Sequence, residues 1–490
     1  MKLSAGMLNF NLNLILLTYP FFTYFYPYAF ILSEIMQSIP ENNRYTGRVI
    51  QKIIQPADNS ILIVFRVCFG FLLFYHCLAF AFSGELHKNF IAPPFTFTYI
   101  GFEFLQPLPG MGMYVYFGIM ALLALLIMAG AFYRFAITGF TVLWALVYLM
   151  QKSNYNNHYY LMLLLCLLMC FMPAAGFFSV DSKRNPALKK NTCARWVYFL
   201  FMAQTAVIYL YAALGKLNAD WLSGRFIALQ FAPLTTHRFT GPVYGNPYFQ
   251  LLVVYGGFLF DLLIVPLLLW KKTRYYAFAL FVGFHLFNSY SFRIGIFPYL
   301  SIGIGLFFLS PEKIRQLFFK NKAAVMQQAA GPVFVPALQK ILLPVMCIYL
   351  FVQVLLPLRP ALFPGPVFWT EEGYRMSWKM MLRTKTGRIH FKVVDPVSGK
   401  TWQHDPATQF TASHVSWLAI CPDIAWQYAQ RLKKDYKKMG YPAVAVYAID
   451  SVSLNKNPPQ LLIDTTVNLA AVPWQPFRHS WWILPYNKQP

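Results

Sequence analysis

Residues 135–178 read F-A-I-T-G-F-T-V-L-W-A-L-V-Y-L-M-Q-K-S-N-Y-N-N-H-Y-Y-L-M-L-L-L-C-L-L-M-C-F-M-P-A-A-G-F-F. Two apolar runs, each near the length that crosses a hydrocarbon core, flank the polar connector Q-K-S-N-Y-N-N-H. Neither run alternates with polar residues, so neither is a surface helix with one wet face. A helical hairpin buried in lipid is the reading that accounts for both runs.

The same pattern extends outward in both directions. A window of about 19 residues predicts nine spans, at 61–83, 113–132, 135–151, 158–178, 196–214, 249–270, 275–291, 296–310 and 340–358. Composition agrees: 58% of the 490 residues are hydrophobic and only 12% are charged. That is half the charge of an average soluble domain, which excludes both a soluble enzyme and a disordered chain. A further apolar stretch, 9–33, is broken by Pro20 and Pro27 and has no small-residue cleavage site. It reads as an extra span or as sequence upstream of a start at Met36, the second being preferred. The expected organisation is an N-terminal segment (1–44), a transmembrane domain (45–358) and a C-terminal domain (359–490).

The net charge of +24 would point to nucleic acid in a soluble protein. Here Arg44, Arg48 and Lys52, Arg134, the group Lys183 to Arg195, Lys271 to Arg274, and Lys313 to Lys322 sit in alternate connections. With nine spans they share one face, which the positive-inside rule makes cytoplasmic. Nucleic acid is therefore not expected, and 359–490 falls outside. An integral membrane protein is the expected setting. The seven Cys form no CxxC pair, and the nine His lack metal-ligand spacing. No metal is expected. Neither P-loop, G-x-S-x-G, H-E-x-x-H nor dinucleotide fingerprint is present.

After Pro357 and Pro360 the pattern changes to short strands and turns: R-I-H-F-K-V-V, D-P-V-S-G, K-T-W-Q-H, then a helix at 422–436, then A-V-A-V-Y-A-I and L-L-I-D-T-T-V. The fold class expected is an α-helical multi-pass membrane protein carrying a C-terminal extracytoplasmic β-rich α+β domain.

The polar residues of chemical interest gather on the outer face. Lys152 ends an apolar run at the side where positive charge is disfavoured. A snorkelling lysine is the common fate of such a residue; a desolvated one loses its proton more easily and becomes a base. Asn156, Asn157 and His158 lie at the same depth. Lys216 and Asp220, four apart in Y-A-A-L-G-K-L-N-A-D-W, are expected to pair on one helix face. His285, Asn288 and Arg293 lie in or beside a span, as does Asp261, which could pair with one of them. In the outer domain, E-G-Y-R-M-S-W-K-M-M-L-R-T-K-T offers Tyr374, Trp378, Arg383 and Lys385. Cations beside aromatics suit a carboxylate-bearing peptide; a solvated strand with a basic face is the alternative.

Several ordered segments together resemble the vitamin K-dependent γ-glutamyl carboxylases. They are Q-P-A-D-N-S-I-L-I-V-F-R from 55, K-S-N-Y-N-N-H-Y-Y-L from 152, Y-L-Y-A-A-L-G-K-L-N-A-D-W-L-S-G from 209, G-G-F-L-F-D-L-L from 256, F-H-L-F-N-S-Y-S-F-R-I-G-I-F from 284 and V-P-W-Q-P-F-R-H-S-W-W from 472. The resemblance covers about residues 45–485. It implies that Lys152 deprotonates a reduced vitamin K of the phylloquinol or menaquinol type. O2 then adds, and the resulting alkoxide takes a γ-proton from a peptide glutamate. The carbanion captures CO2, and the quinol leaves as its epoxide. It implies catalytic roles for Lys152, Asn157 and His158, and quinol contacts for Asn156, His285, Asn288 and Arg293. It places the glutamyl substrate at Tyr374, Ser377, Trp378, Arg383 and Lys385. The implied partners are a glutamate-containing peptide and the lipid bilayer.

The chain also departs from the animal enzymes. Arg383 and Lys385 stand where those have His and Arg, and Tyr428 stands at one position of their cysteine pair. With no N-x-S/T sequon, these differences imply a bacterial homologue. Quinol oxygenation without carboxylation, and non-catalytic capture of acidic peptides, are the rival readings.

Overall fold

The structure, a computed structural model, describes residues 53–325 and 337–487. The stretch 9–33 and Met36 lie outside the described residues. Strand β1 (Pro56–Asp58) leads into α1 (Ser60–Phe82), followed by α2 (Gly112–Ala129), α3 (Tyr133–Met150) and α4 (Asn157–Phe171). Strand β2 (Thr192–Ala194) pairs antiparallel with β1 and precedes α5 (Trp196–Lys216). Then come α6 (Pro247–Leu269), α7 (Arg274–Phe292), α8 (Phe297–Gly305) and α9 (Ala337–Leu355).

Every predicted span coincides with a helix, but six are long and apolar enough to cross a membrane: α1, α2, α3, α5, α6 and the 341–362 segment that contains most of α9. Helix α4 and the 297–308 segment are apolar but shorter. In α7 the run is interrupted by His285, Asn288 and Ser289. The N-terminal region is thus a helical bundle of multi-pass type. Its core is an aromatic and aliphatic cluster around Phe65, Phe69, Phe117, Phe140, Leu161 and Leu165, all essentially inaccessible.

The basic connections meet at one end of this bundle. There the buried Asp58 carboxylate accepts from Lys322, with Arg315 3.4 Å away, and Asp181 accepts from the backbone N–H groups of Phe132 and Tyr133 at 2.8 and 2.9 Å. Arg66 of α1 donates to the carbonyls of Phe178 and Ala174 at 2.5 and 3.2 Å. Its partners lie in the connection after α4, so α1 and that connection are fixed together.

The C-terminal region is mixed α/β. Its sheet has the order β4–β3–β5, all antiparallel, from β3 (Lys385–Val394), β4 (Thr401–His404) and β5 (Ala445–Leu454). Side chains alternate along β5, so Val446, Ala448, Val452 and Leu454 point to one buried face. Against the sheet lie α10 (Ala412–Ile420) and α11 (Pro422–Lys438), where the sequence reading had one helix. Cys421 is extended and Pro422 opens α11, so the chain bends there and two helices form. Ala425, Tyr428, Ala429, Leu432 and Tyr436 recur at helical spacing and are buried. L-L-I-D-T-T-V is not the expected strand; it makes only an isolated bridge, Ile463 to Ile483. Nor is 371–384 a strand. It is a buried run of turns with left-handed backbone at Glu371, Met376, Trp378 and Met381.

Candidate active site

Helix α3 stops at Met150 because Gln151 turns extended, at φ −144°. Its side chain replaces the lost helical bonds: Oε1 accepts from the Phe97 N–H at 3.0 Å and Nε2 donates to the Asn89 carbonyl at 2.8 Å. Lys152 N–H donates to the Phe97 carbonyl at 2.6 Å. The 89–97 connection thereby closes over the turn, and Lys152 is left 1% exposed. Helix α4 restarts where Asn156, extended at φ −149°, accepts from the Tyr159 N–H at 3.0 Å as an N-cap. The connector thus forms a rigid corner rather than a loop.

Lys152 meets the outer domain. Its Nζ lies 2.9 Å from Asp423 Oδ2, and Asp423 sits in the first turn of α11. Arg375 grips the same carboxylate with two contacts, Nη1–Oδ2 at 2.8 Å and Nη2–Oδ1 at 3.3 Å. Burial lowers the Lys152 amine from its usual range against the raising effect of Asp423, and Arg375 lowers it further. Burial alone would raise Asp423, but Arg375 and Lys152 outweigh it and hold the carboxyl well below the usual range.

Beside this corner lies a cavity of ≈ 780 Å³ between α4, α5, α6, α7 and the 371–384 segment. Its wall is largely aliphatic and aromatic. The polar lining groups come from separate places: Asn156, Asn157 and His158; Tyr209, Lys216 and Asp261; His285 and Asn288; and Tyr374. Trp417 reaches the cavity from α10. Tyr209 Oη and His285 Nε2 are 2.5 Å apart, while the buried His285 Nδ1 has no hydrogen-bond partner among the described residues. Tyr155 Oη donates to Asn157 Oδ1 at 3.0 Å and accepts from the Met376 N–H at 2.6 Å, joining the corner to the outer segment. Gly295, left-handed at φ +60°, lets the α7–α8 turn pass close to His158; a Cβ there would lie 3.6 Å from His158 Nε2.

The expected Lys216–Asp220 pair does not form. Helix α5 ends at Lys216, and Asn218 opens a separate turn over Ala219–Leu222, so the two residues do not share a helix face. Lys216 instead pairs with the buried Asp261 of α6 and lies 5.1 Å from the Trp221 ring. Asp261 therefore pairs with Lys216 and not with His285, Asn288 or Arg293.

Of the residues singled out from sequence, Asn156, Asn157, His158, Lys216, Asp261, His285, Asn288 and Tyr374 share the cavity wall. Lys152 does not line the cavity; it lies three residues before Tyr155, which does. Arg293 ends α7 in a left-handed turn, is exposed, and does not reach the cavity. Ser377 donates to the Tyr374 carbonyl at 2.5 Å, and Trp378 is buried against Tyr160 with ring centroids 5.1 Å apart. Arg383 and Lys385 are engaged internally. Arg383 Nη2 is 2.7 Å from Glu371 Oε2 and its guanidinium lies 4.6 Å from the Tyr374 ring. Lys385 Nζ is 3.5 Å from Glu371 Oε1 and donates to the carbonyls of Trp369 and Ile420. Burial pulls its amine down to about 8, against the opposing pull of Glu371. Sequence reasoning passed over Asp423, Arg375, Glu371 and Tyr209. An acid at a helix start preceded by Pro, as in C-P-D-I, was the available signal for Asp423.

Comparison with known families agrees with both halves of this architecture. The HTTM domain matches residues 54–312, and the lumenal domain of vitamin K-dependent gamma-carboxylase matches residues 338–489. The chain belongs to the vitamin K-dependent gamma-carboxylase family. No solved structure matches it. Within a carboxylase-family protein, the Lys152–Asp423–Arg375 cluster lies where the membrane part meets the lumenal-type domain. The cavity runs from that junction into the helices.

Proposed function

We propose that this chain is a γ-glutamyl carboxylase-like membrane enzyme with its lumenal-type domain on the extracytoplasmic side. It couples epoxidation of a reduced naphthoquinone to carboxylation of a peptide glutamate. The supporting observation is the cavity: one largely apolar chamber whose few polar lining groups include Asn156, Asn157, His158, His285, Asn288 and Tyr374. Leu252, Leu259, Leu263 and Leu280 line it yet remain exposed on the bundle's outer face. The chamber is therefore open toward lipid, the medium in which a tailed quinol dissolves.

A flat bicyclic quinol fits the observed donor set. The orphan His285 Nδ1, Asn288 and the Asn156–Asn157–His158 corner offer polar contacts for ring oxygens among aromatic walls. A bound reduced quinone would supply, with O2, the strong base that a lysine cannot be. Lys152, buried and shifted toward its neutral form, would accept the first proton. Asn157, oriented by Tyr155, and His158 would fix the ring oxygen that loses it. Tyr374 would bring the glutamyl side chain from the outer domain to the same chamber, and the closed corner excludes water from the base.

One observation favours the narrower alternative of quinol oxygenation without carboxylation. Arg383 and Lys385, the cations expected to hold a glutamyl carboxylate, are already bonded to Glu371. A single experiment separates the readings. Purified protein in nanodiscs would receive a reduced menaquinone-type quinol, a short Glu-containing peptide and labelled CO2. Epoxide and fixed label, both lost in Lys152→Ala, are expected. Epoxide without label would establish the alternative, and neither product would overturn both.

A further inference from the structure

Lys152, Asp423 and Arg375 form a cluster of two cations and one anion, sealed between the membrane corner and the outer domain. Lys152 and Arg375 both approach Asp423 Oδ2, at 2.9 and 2.8 Å, and Arg375 also reaches Oδ1 at 3.3 Å. Arg359 adds a third cation behind Arg375, donating to its carbonyl at 3.0 Å, and has no acidic partner among the described residues. The other titratable groups around the cluster do not supply charge. Burial pushes the Cys421 thiol and the Tyr99 hydroxyl up to about 12 and raises the Tyr155 hydroxyl well above its usual range. His414, 3.0 Å from Gln151 Nε2, is pulled down to about 4 by burial and is neutral near pH 7.

One carboxylate therefore faces two basic groups, with a third cation held behind Arg375, in a space with little water. A buried site with excess positive charge sheds it through whichever group can lose a proton. Neither guanidinium can. Asp423 is stabilised as an anion by the first turn of α11 as well as by its partners, so it does not neutralise instead. Lys152 is the one group left to yield. Were Arg375 absent, Asp423 would be free to balance Lys152 alone, and the amine would keep its proton. Arg375 does not itself line the cavity, and its side-chain ion pair is with Asp423, so its charge acts on Lys152 across that shared carboxylate.

We propose that Arg375 is a positioning residue that favours the uncharged form of Lys152 by sharing the Asp423 carboxylate with it, and that Asp423 pulls Lys152 the opposite way. The proposal rests on the reading of Lys152 as the base, but its electrostatic content is separable from that reading. Two substitutions at one ion pair then have opposite effects on a third residue. A merely structural pair would not produce that, since breaking it from either side loosens the same contact.

The test uses the full-length protein in detergent. Cyanate, a small probe that reacts with uncharged amines, would carbamylate Lys152 at a series of pH values, with the modified peptide counted by mass spectrometry. Arg375→Gln is expected to move the Lys152 titration up by about one pH unit or more, a tenfold loss of reactive amine near neutrality. Asp423→Asn is expected to move it down by a similar amount, and Arg375→Lys to stay near wild type. The acid limb of epoxide formation should follow the same order. Shifts of one sign in both variants, or none in either, would overturn the proposal. If Arg375→Gln does not fold, Asp423→Asn and Arg375→Lys still decide it, because an unmoved or raised titration in Asp423→Asn contradicts it directly. Loss of the proposed function itself would show differently: Lys152→Ala would retain wild-type epoxide formation while the carbamylation shifts stood.

Discussion

Asp450 shows how one buried carboxyl can set the pH response of the outer domain. It faces the inside of β5, accepts from the Leu462 and Ile463 N–H groups at 3.0 and 3.4 Å, and leaves Oδ2 without a partner. Burial lifts its pKa from 3.8 to about 6 against the pull of those two N–H groups. The folded state therefore binds more protons than the unfolded chain between about pH 4 and 6, and stability falls as pH rises through that window. Above it the cost is fully present; below it there is none. Asp450→Asn keeps an acceptor oxygen and removes the charge, so it should raise stability by about 1–2 kcal/mol at pH 7 and leave it unchanged at pH 4. Thermal unfolding of the two proteins at both pH values checks this. At this scale the sequence was legible where chemistry and neighbourhood coincide, as in N-N-H at 156–158 or His285 with Asn288. It was silent on Asp423 and Arg375, because an ion pair that closes across more than forty residues leaves no local pattern.

The 371–384 segment carries the residues proposed to meet the glutamyl substrate on a backbone that its side chains do not favour. Glu371, Met376, Trp378 and Met381 all have φ between +53° and +66°, a region that costs non-glycine residues about 1 kcal/mol or more each. Such strain persists where surrounding contacts over-determine the path. Here Met376 N–H is tied to Tyr155, Ser377 to the Tyr374 carbonyl, and Trp378 is packed beneath Tyr160. The alternation of aromatic and basic residues resembled a strand with a wet face, but every second residue was not what was buried. Turn formation followed from tertiary anchors that periodicity does not report. Within this segment, Gly373 is required to be glycine twice over. Its φ is +73°, and an added Cβ would come within 2.8 Å of Pro360 N. Gly373→Ala should therefore destabilise the protein by about 2 kcal/mol or more and raise KM for the glutamyl peptide over that for quinol. Thermal unfolding with paired steady-state assays would read both; an unchanged KM would detach this segment from substrate binding.

Across the whole molecule, the arrangement of helices and the mixed outer domain followed from hydropathy and turn residues, since each helix announces itself in about twenty consecutive side chains. What hydropathy could not supply was which helices cross and which only line a chamber. Helix α7 sacrifices apolar length to carry His285 and Asn288, and α4 and α8 are shorter than a bilayer is thick. Those departures mark the cavity side of the bundle. Its opening between α6 and α7 leads to a test of how substrate arrives. Leu259 and Leu263 are one turn apart on α6, line the chamber, and are 49% and 45% exposed. On the proposed function, a quinol entering from lipid would pass these side chains with its tail still in the bilayer. Leu263→Trp keeps the surface apolar, so it should fold and insert normally, while narrowing the passage. Its KM for a quinol with a long isoprenoid tail should rise about tenfold, roughly 1.4 kcal/mol. The KM for a tail-less methyl-naphthoquinol, small enough to enter past the indole, should change less than twofold. Equal effects on both substrates would place the entrance elsewhere, and a loss confined to the tail-less quinol would point to entry from the aqueous face beneath the outer domain.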